Sequence, residues 1–485
     1  MTNQSTALAS LLQLDRDKAG DSLRQQLYRQ LREAIVTGRL RPGHALPSTR
    51  QLAAALGIAR STVVEALDQL KFEGYLETRQ GAATRVAEFR APPAGATGMP
   101  GEPAAGAMAD VASALWVNDD PPSAVTRRAF RPGLPDLGAF PAANWAACLA
   151  SRARRPLAHD LSYEGYTGVP ALQAEIVRHV AQARHVNADP AQVVVLPSAQ
   201  AAFDVAARCC LRAGDCVWLE DPGYPGVRGL WRGHGARIVD VPVDAQGMNF
   251  EHERSRPRLI HVTPSHQYPS GVPLSLPRRF ALLERARQVD AVILEDDYDS
   301  EFQYAGLPIA SLQGLDRTQR VMYVGTFSKT LAPGMHVAYL IVPPRFARLT
   351  HAVASLAGMA VPVHLQLALA DFMRHGFLRR HVRRMNAIYA ARMRTLIDTL
   401  KAGVPPGVKI PEQGGGLQLT ISWQQGPDDT RLVAMLEAQG LCALPLSRLC
   451  HAERRHGLVL GIGLVDADSI GPQASRLADL LKTQF

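Results

Sequence analysis

The chain has 485 residues, too many for one ordinary domain and enough to bury a large core. Its 47% hydrophobic content and mean hydropathy of −0.06 suit a soluble globular protein. No apolar run reaches the length of a membrane span, and the opening MTNQSTALAS lacks a signal-peptide pattern, so a cytoplasmic protein without membrane contact is expected. The net charge of +9 is uneven. Residues 1–90 hold 13 Lys and Arg against 9 Asp and Glu, which favours a polyanionic partner for this part of the chain. The six cysteines show no paired C-x-x-C spacing, which argues for reduced thiols and against a zinc site.

Leu23, Leu27, Leu31 and Ile35 recur every four residues and predict a helix over 22–37. Gly38, Pro42 and Gly43 stop it. Ser48 is a fair N-cap for a short second helix carrying Leu52, Ala55 and Leu56, which Gly57 ends. Val63, Ala66, Leu67 and Leu70 mark a third helix. Two short strands follow, around Arg79-Gln80-Gly81. Three helices and a hairpin make a winged helix-turn-helix DNA-binding domain, placed at 15–87. Arg60, Ser61 and Thr62 open the third helix, where a recognition helix meets base edges. Arg50 starts the second helix near the DNA backbone. Arg79 and Arg85 flank the wing at Gly81, suited to phosphate or minor-groove contacts.

Residues 88–125, with APPAGATGMPGEPAAGAMAD, read as a flexible Ala/Pro/Gly-rich linker. Beyond it, apolar strand candidates at 193–196, 217–220, 259–263, 292–295, 321–325 and 337–342 alternate with helical stretches such as 170–184, 200–212 and 276–288. That alternation predicts an α/β domain with a largely parallel sheet over 126–485, and residues 345–485 read as a smaller α+β subdomain. Such sheets bind ligands at the carboxyl ends of their strands, and Asp296, Tyr298, Ser328 and Lys329 all lie at or beyond such ends. Asp297, Asp299 and Glu301 could be taken for a metal site, but their neighbours do not favour one.

The motifs Leu40-x-Pro42-Gly43, Leu46-Pro47-Ser48-x-Arg50-x-Leu52-Ala53 and Arg60-Ser61-Thr62-Val63 resemble the GntR family of winged-helix regulators over residues 22–86. Where that family's wing often has Gly-x-Gly, this chain has Gly81-Ala82-Ala83. Residues 126–485 resemble fold-type I aminotransferases that use pyridoxal 5'-phosphate. The marks are Phe130-x-x-Gly133-x-Pro135-Asp136, Asp221-Pro222-Gly223-Tyr224, the stretch 263–271, Glu295–Phe302 and Thr326–Gly334. The whole arrangement resembles MocR/GabR-type regulators.

That resemblance implies a Schiff base on Lys329, Asp296 facing the pyridine nitrogen, Tyr298 at the phenolic oxygen and Tyr224 stacked on the ring. Ser198, Ala199 and Gln200 would offer backbone N–H groups to the phosphate at a helix N-terminus, with Ser328 adding a hydroxyl. Tyr163 matches a tyrosine that reaches the partner subunit's phosphate. Three departures stand out. Pro197-Ser198 replaces a glycine-containing phosphate loop. His336 stands where an arginine usually clamps the phosphate. The strand at 458–463 has no arginine for a substrate carboxylate.

The expectation is a regulator rather than an enzyme. It would be a homodimer that binds operator DNA and responds to an amine, an amino acid or the cofactor itself. An active aminotransferase that also binds DNA, a regulator whose decayed pocket serves only for dimerisation, and an ordinary enzyme that does not bind DNA are the alternatives.

Overall fold

The computed structural model describes residues 8, 12–15, 21–78, 83–88, 129–154, 156–162, 165–304 and 309–485. The chain divides into two compact units, Met1–Ala105 and Gly106–Phe485. The division falls inside the stretch read as a linker, of which only residue 88 is described.

The first unit holds α1 (Leu23–Val36), α2 (Thr49–Leu56) and α3 (Arg60–Phe72). Ser22 with Gln25, and Ser48 with Gln51, form reciprocal capping boxes that satisfy the free N–H groups of α1 and α2. Gly57 ends α2 in the left-handed region, φ +65°, which a residue with a Cβ enters at a cost. Leu27, Leu31, Leu52, Val63 and Leu67 share one core with Leu76 and Val86. The last two belong to β1 (Leu76–Glu77) and β2 (Arg85–Val86), which pair antiparallel as the wing.

The second unit is built on an eight-stranded sheet in the order β3-β10-β9-β8-β7-β4-β5-β6. The strands are β3 (Val193–Leu196), β4 (Cys216–Asp221), β5 (Arg237–Asp244), β6 (Gly247–Met248), β7 (Leu259–Val262), β8 (Val292–Asp297), β9 (Val321–Thr326) and β10 (Ala338–Ile341). Strands β9, β8, β7, β4 and β5 are parallel, whereas β10 runs antiparallel between β3 and β9. The sheet is therefore mixed.

Strands β3, β9 and β10 and the first halves of β4 and β8 read as apolar runs because helices cover both faces, whereas β5 keeps exposed Arg237 and Asp244. Val193, Val195 and Tyr339 enter one core, and Val194, Leu196 and Leu340 enter the other, the two-residue alternation of a strand. Helices α4 (Ala142–Arg154) and α5 (Pro170–Arg184) serve the first core, and α6 (Ala199–Cys210) and α7 (Pro225–Gly233) the second. Helix α8 (Leu276–Val289) covers a third group of strand residues around Ile260 and Ile293.

A three-stranded antiparallel sheet, β11 (Gln418–Trp423), β13 (His456–Gly461) and β12 (Leu444–Pro445), forms a smaller subdomain. Its extent corrects the boundary at 345. Helices α9 (Pro344–Leu356) and α10 (Val363–Arg374) pack on the large sheet, through Ala354 on one face and Ala368, Leu369 and Phe372 on the other. The long α11 (Phe377–Gly403) then carries the chain into the small core at Met385, Tyr389 and Leu396. Helical periodicity marks an apolar face but not the core that receives it. The start of the second unit also joins the small subdomain. Phe130 lies in its core, Ala129 bridges to Leu441, and Gly461 N–H donates to the Phe130 carbonyl at 2.8 Å.

Candidate functional site

In the first unit, Arg50, Arg60 and Ser61 are exposed and Thr62 is half-buried, all at the starts of α2 and α3. Arg60 Nε donates to Thr49 Oγ1 at 3.3 Å, which ties the two helix starts together. Arg85 is exposed on β2, with Nη1 donating to the Gly43 carbonyl at 2.9 Å. The rest of its guanidinium fork remains open to solvent and could take a phosphate. Arg79 and Gly81 lie outside the described residues, as does Tyr163.

In the second unit, a cavity of about 270 Å³ opens at the carboxyl edge of the large sheet. Gly133, Ser198, Ala199, Gln200, Phe203, Tyr224, Tyr268, Asp296, Tyr298, Thr326, Ser328, Lys329 and Gln418 line it. Eight of the sequence-predicted residues thus meet in one place: Ser198, Ala199, Gln200, Tyr224, Asp296, Tyr298, Ser328 and Lys329. His336 does not join them. It is exposed, at φ +49° after a turn at Pro333–Met335, and is not among the lining residues. Its position in a motif suggested a phosphate contact, but the left-handed turn leaves its side chain in solvent.

Lys329 follows β9 by three residues, and its Nζ donates to the carbonyl of Gly133. Burial pushes the ammonium below the usual lysine range, against the pull of Asp299 and Asp296. A lysine poised in this way is more readily a nucleophile. Asp296, near the end of β8, is buried and has its carboxyl pushed up to about 8. Desolvation is the main cause, with Asp297 and Glu220 adding like charge. A cationic ring nitrogen beside it would reverse that balance. Behind Asp296 stands His261, with Nε2 3.8 Å from Oδ2 and no hydrogen-bond partner of its own. Burial drives its pKa down to about 3, so the imidazole is neutral.

Tyr224, Tyr268 and Tyr298 meet edge to face, with centroids 5.6 and 6.1 Å apart. Gln200 Nε2 donates to the Tyr224 hydroxyl at 3.2 Å, across the space left by the missing side chain of Gly226. Ser198 caps α6, its Oγ accepting from Ala201 N–H at 3.1 Å. Ser328 N–H donates to Thr326 Oγ1 at 3.1 Å, which brings two hydroxyls into the lining.

The neighbouring acids are each committed elsewhere. Arg184 Nε donates to Asp297 at 2.8 Å, with both groups buried, and together with Tyr323 it holds the carboxyl below its usual range despite desolvation. Asp299 pairs with His266 at 2.9 Å and accepts from Leu417 N–H at 3.0 Å. Glu301 pairs with His179 at 2.9 Å. Among the described residues no group of three or more His, Cys, Asp or Glu could hold a metal ion.

Sequence reasoning missed Gly133, Phe203, Tyr268, Thr326 and Gln418 as lining residues. Gly133, Tyr268 and Thr326 sat inside quoted motifs, but Phe203 and Gln418 carried no such signal.

The residues present fit pyridoxal phosphate. A partly desolvated amine, a buried carboxyl, an aromatic face and a helix N-terminus with hydroxyls share one cavity, and the orphaned His261 Nε2 lies behind the carboxyl.

Fold and site together define a winged-helix DNA reader joined to a fold-type I aminotransferase domain. The comparisons agree. Residues 23–86 match the family described as bacterial regulatory proteins, gntR family, and residues 156–453 match aminotransferase class I and II. The chain is 38% identical over 460 residues to the probable rhizopine catabolism regulatory protein MocR of Rhizobium meliloti, which spans 94% of this chain and 93% of that relative. It is 34% identical to the transcriptional regulator TauR of Rhodobacter capsulatus, over 87% of this chain and 89% of the other. The pyridoxine biosynthesis regulator PdxR of Corynebacterium glutamicum is 31% identical, over 94% and 96%. Among solved structures, the kynurenine aminotransferase of Pyrococcus horikoshii matches with a TM-score of 0.68 at 23% identity, over 79% of this chain and 95% of that one, a likeness of fold. The chain belongs to the gntR family of bacterial regulatory proteins, in the group that carries an aminotransferase class I and II domain.

Proposed function

We propose that the chain is a transcriptional regulator that binds double-stranded operator DNA through residues 22–86 and holds pyridoxal 5'-phosphate at Lys329. An amine or amino acid, or the cofactor itself, is its signal. The observation that carries this reading is the convergence of Lys329, Asp296 and the Ser198–Gln200 helix start on one cavity. When bound, the cofactor supplies an electron-poor ring and an aldehyde that exchanges amines. Lys329 holds the aldehyde end, Asp296 keeps the ring nitrogen protonated, and Tyr298 donates to the ring oxygen. Tyr224 offers its ring face. Ser198, Ser328 and the first N–H groups of α6 take the phosphate. Arg50, Arg60, Ser61, Thr62, Arg79 and Arg85 contact DNA, and the aminotransferase-like domain forms the homodimer, in which Tyr163 reaches the phosphate of the partner subunit's cofactor. A ligand regulates by binding two conformations unequally.

The test is the visible spectrum of the full chain with added cofactor, then borohydride reduction and peptide mapping, then retardation of promoter fragments at several salt concentrations. A yellow protein labelled at Lys329 whose DNA affinity changes with an amine supports the reading. A colourless protein with unlabelled Lys329 removes the cofactor from it.

A further inference from the structure

Gln418 opens β11 in the small subdomain, opposite Gly461 of β13, and is 4% exposed. It lines the cavity that the large sheet otherwise walls. Its Nε2 is buried without a hydrogen-bond partner. A buried amide left unpaired carries an uncompensated desolvation penalty, so a partner from outside the chain accounts for its place here. Turning the amide about its last torsion exchanges donor and acceptor, so it can meet a hydroxyl, a carbonyl or another amide.

The charges around it favour such a group over an anion. Among the described residues that line the cavity Lys329 is the only Lys or Arg, and the reading above commits it to the cofactor. A carboxylate entering here would exchange water for a neutral amide with no free cation to meet it among the described lining residues, an unfavourable trade.

We propose that Gln418 is the specificity-determining residue for the effector. The effector is then a primary amine whose recognised group is an uncharged hydroxyl, carbonyl or amide, not a carboxylate. This rests on the cofactor reading above, since the amine must meet the cofactor at Lys329.

The test uses the full-length, cofactor-loaded protein. Ethanolamine, 3-aminopropan-1,2-diol and glycinamide are titrated against glycine, β-alanine and 4-aminobutanoate. Apparent affinities are read from the visible spectrum and, independently, from the heat of binding. The expected result is a preference of about tenfold or more for the uncharged set, the scale of one hydrogen bond. Gln418→Arg is expected to turn the preference toward the carboxylates, and Gln418→Glu to deepen the discrimination against them. Preference is a ratio within each protein, so partial cofactor loading cancels, and the wild-type ratio decides even where a variant fails to fold. A wild-type protein that takes carboxylates equally well or better overturns the proposal, as do folded variants with an unchanged ratio. A wild-type protein that never acquires the cofactor spectrum removes the underlying reading, and this inference with it, by a distinct result.

Discussion

The surface proposed to face DNA and the cavity are built on opposite plans. Arg50, Arg60 and Ser61 are exposed, held by two short capped helices, and close together in sequence. The cavity is assembled from stretches as distant as Gly133 and Gln418, and two of its polar side chains, Asp296 and Gln418, are buried. The first surface would work through solvent-exposed charge, which salt screens and which contributes little to the fold. The second gains its chemistry from desolvation, which shifts Lys329 and Asp296 in opposite directions from their ordinary values and ties function to stability. Substitutions should separate the two plans.

The largest effect is expected at Lys329. Lys329→Ala should abolish both the visible absorption with cofactor and the borohydride label. A retained label would put the reactive amine elsewhere. Arg184→Ala should follow, because it leaves Asp297 buried without its cation. A loss of about 3–5 kcal/mol is expected in urea unfolding of the second unit's transition, and a loss below about 1 kcal/mol would show that water reaches Asp297.

Asp296 tests the coupling by pH. In the cofactor-free protein its folded pKa, about 8, lies above its unfolded value. It is neutral in both states in acid. As pH rises the unfolded chain ionises first, so this group's contribution to stability falls between about pH 4 and pH 8. Asp296→Asn should remove that fall, so its melting temperature should gain on the wild type as pH rises toward 8. Equal pH profiles would mean that Asp296 is already ionised.

Arg60→Ala should cost about 1–3 kcal/mol of operator affinity and lower the discrimination against mutated operators. A uniform loss on all DNA would reassign Arg60 to phosphate contact. The smallest effect is expected from Ser48→Ala, which removes one half of a capping box. About 1 kcal/mol should be lost from the first unit's stability, read by circular dichroism, with no change in the cavity's spectrum.

Much of the molecule was legible in the chain because its signals are local. Leu23, Leu27, Leu31 and Ile35 announced α1, and Ser48 and Gly57 bracketed α2, since capping and left-handed turns depend on residues a few positions apart. The apolar runs at 193–196 and 292–295 announced strands buried on both faces. The motifs around Asp296 and Lys329 were readable for the same reason, because each places its residue at a strand end.

The tertiary structure alone decided which core each element serves. Helices α9 and α10 have the pattern of any amphipathic helix, yet they pack on the large sheet, while Phe130, hundreds of residues from β11, completes the small core. It also decided the reversed direction of β10, the solvent position of His336 and the arrival of Gln418 in the cavity. Local hydrogen bonds and periodicity are written over a few residues. Burial, charge proximity and an amide left without a partner arise only when distant segments exclude water together.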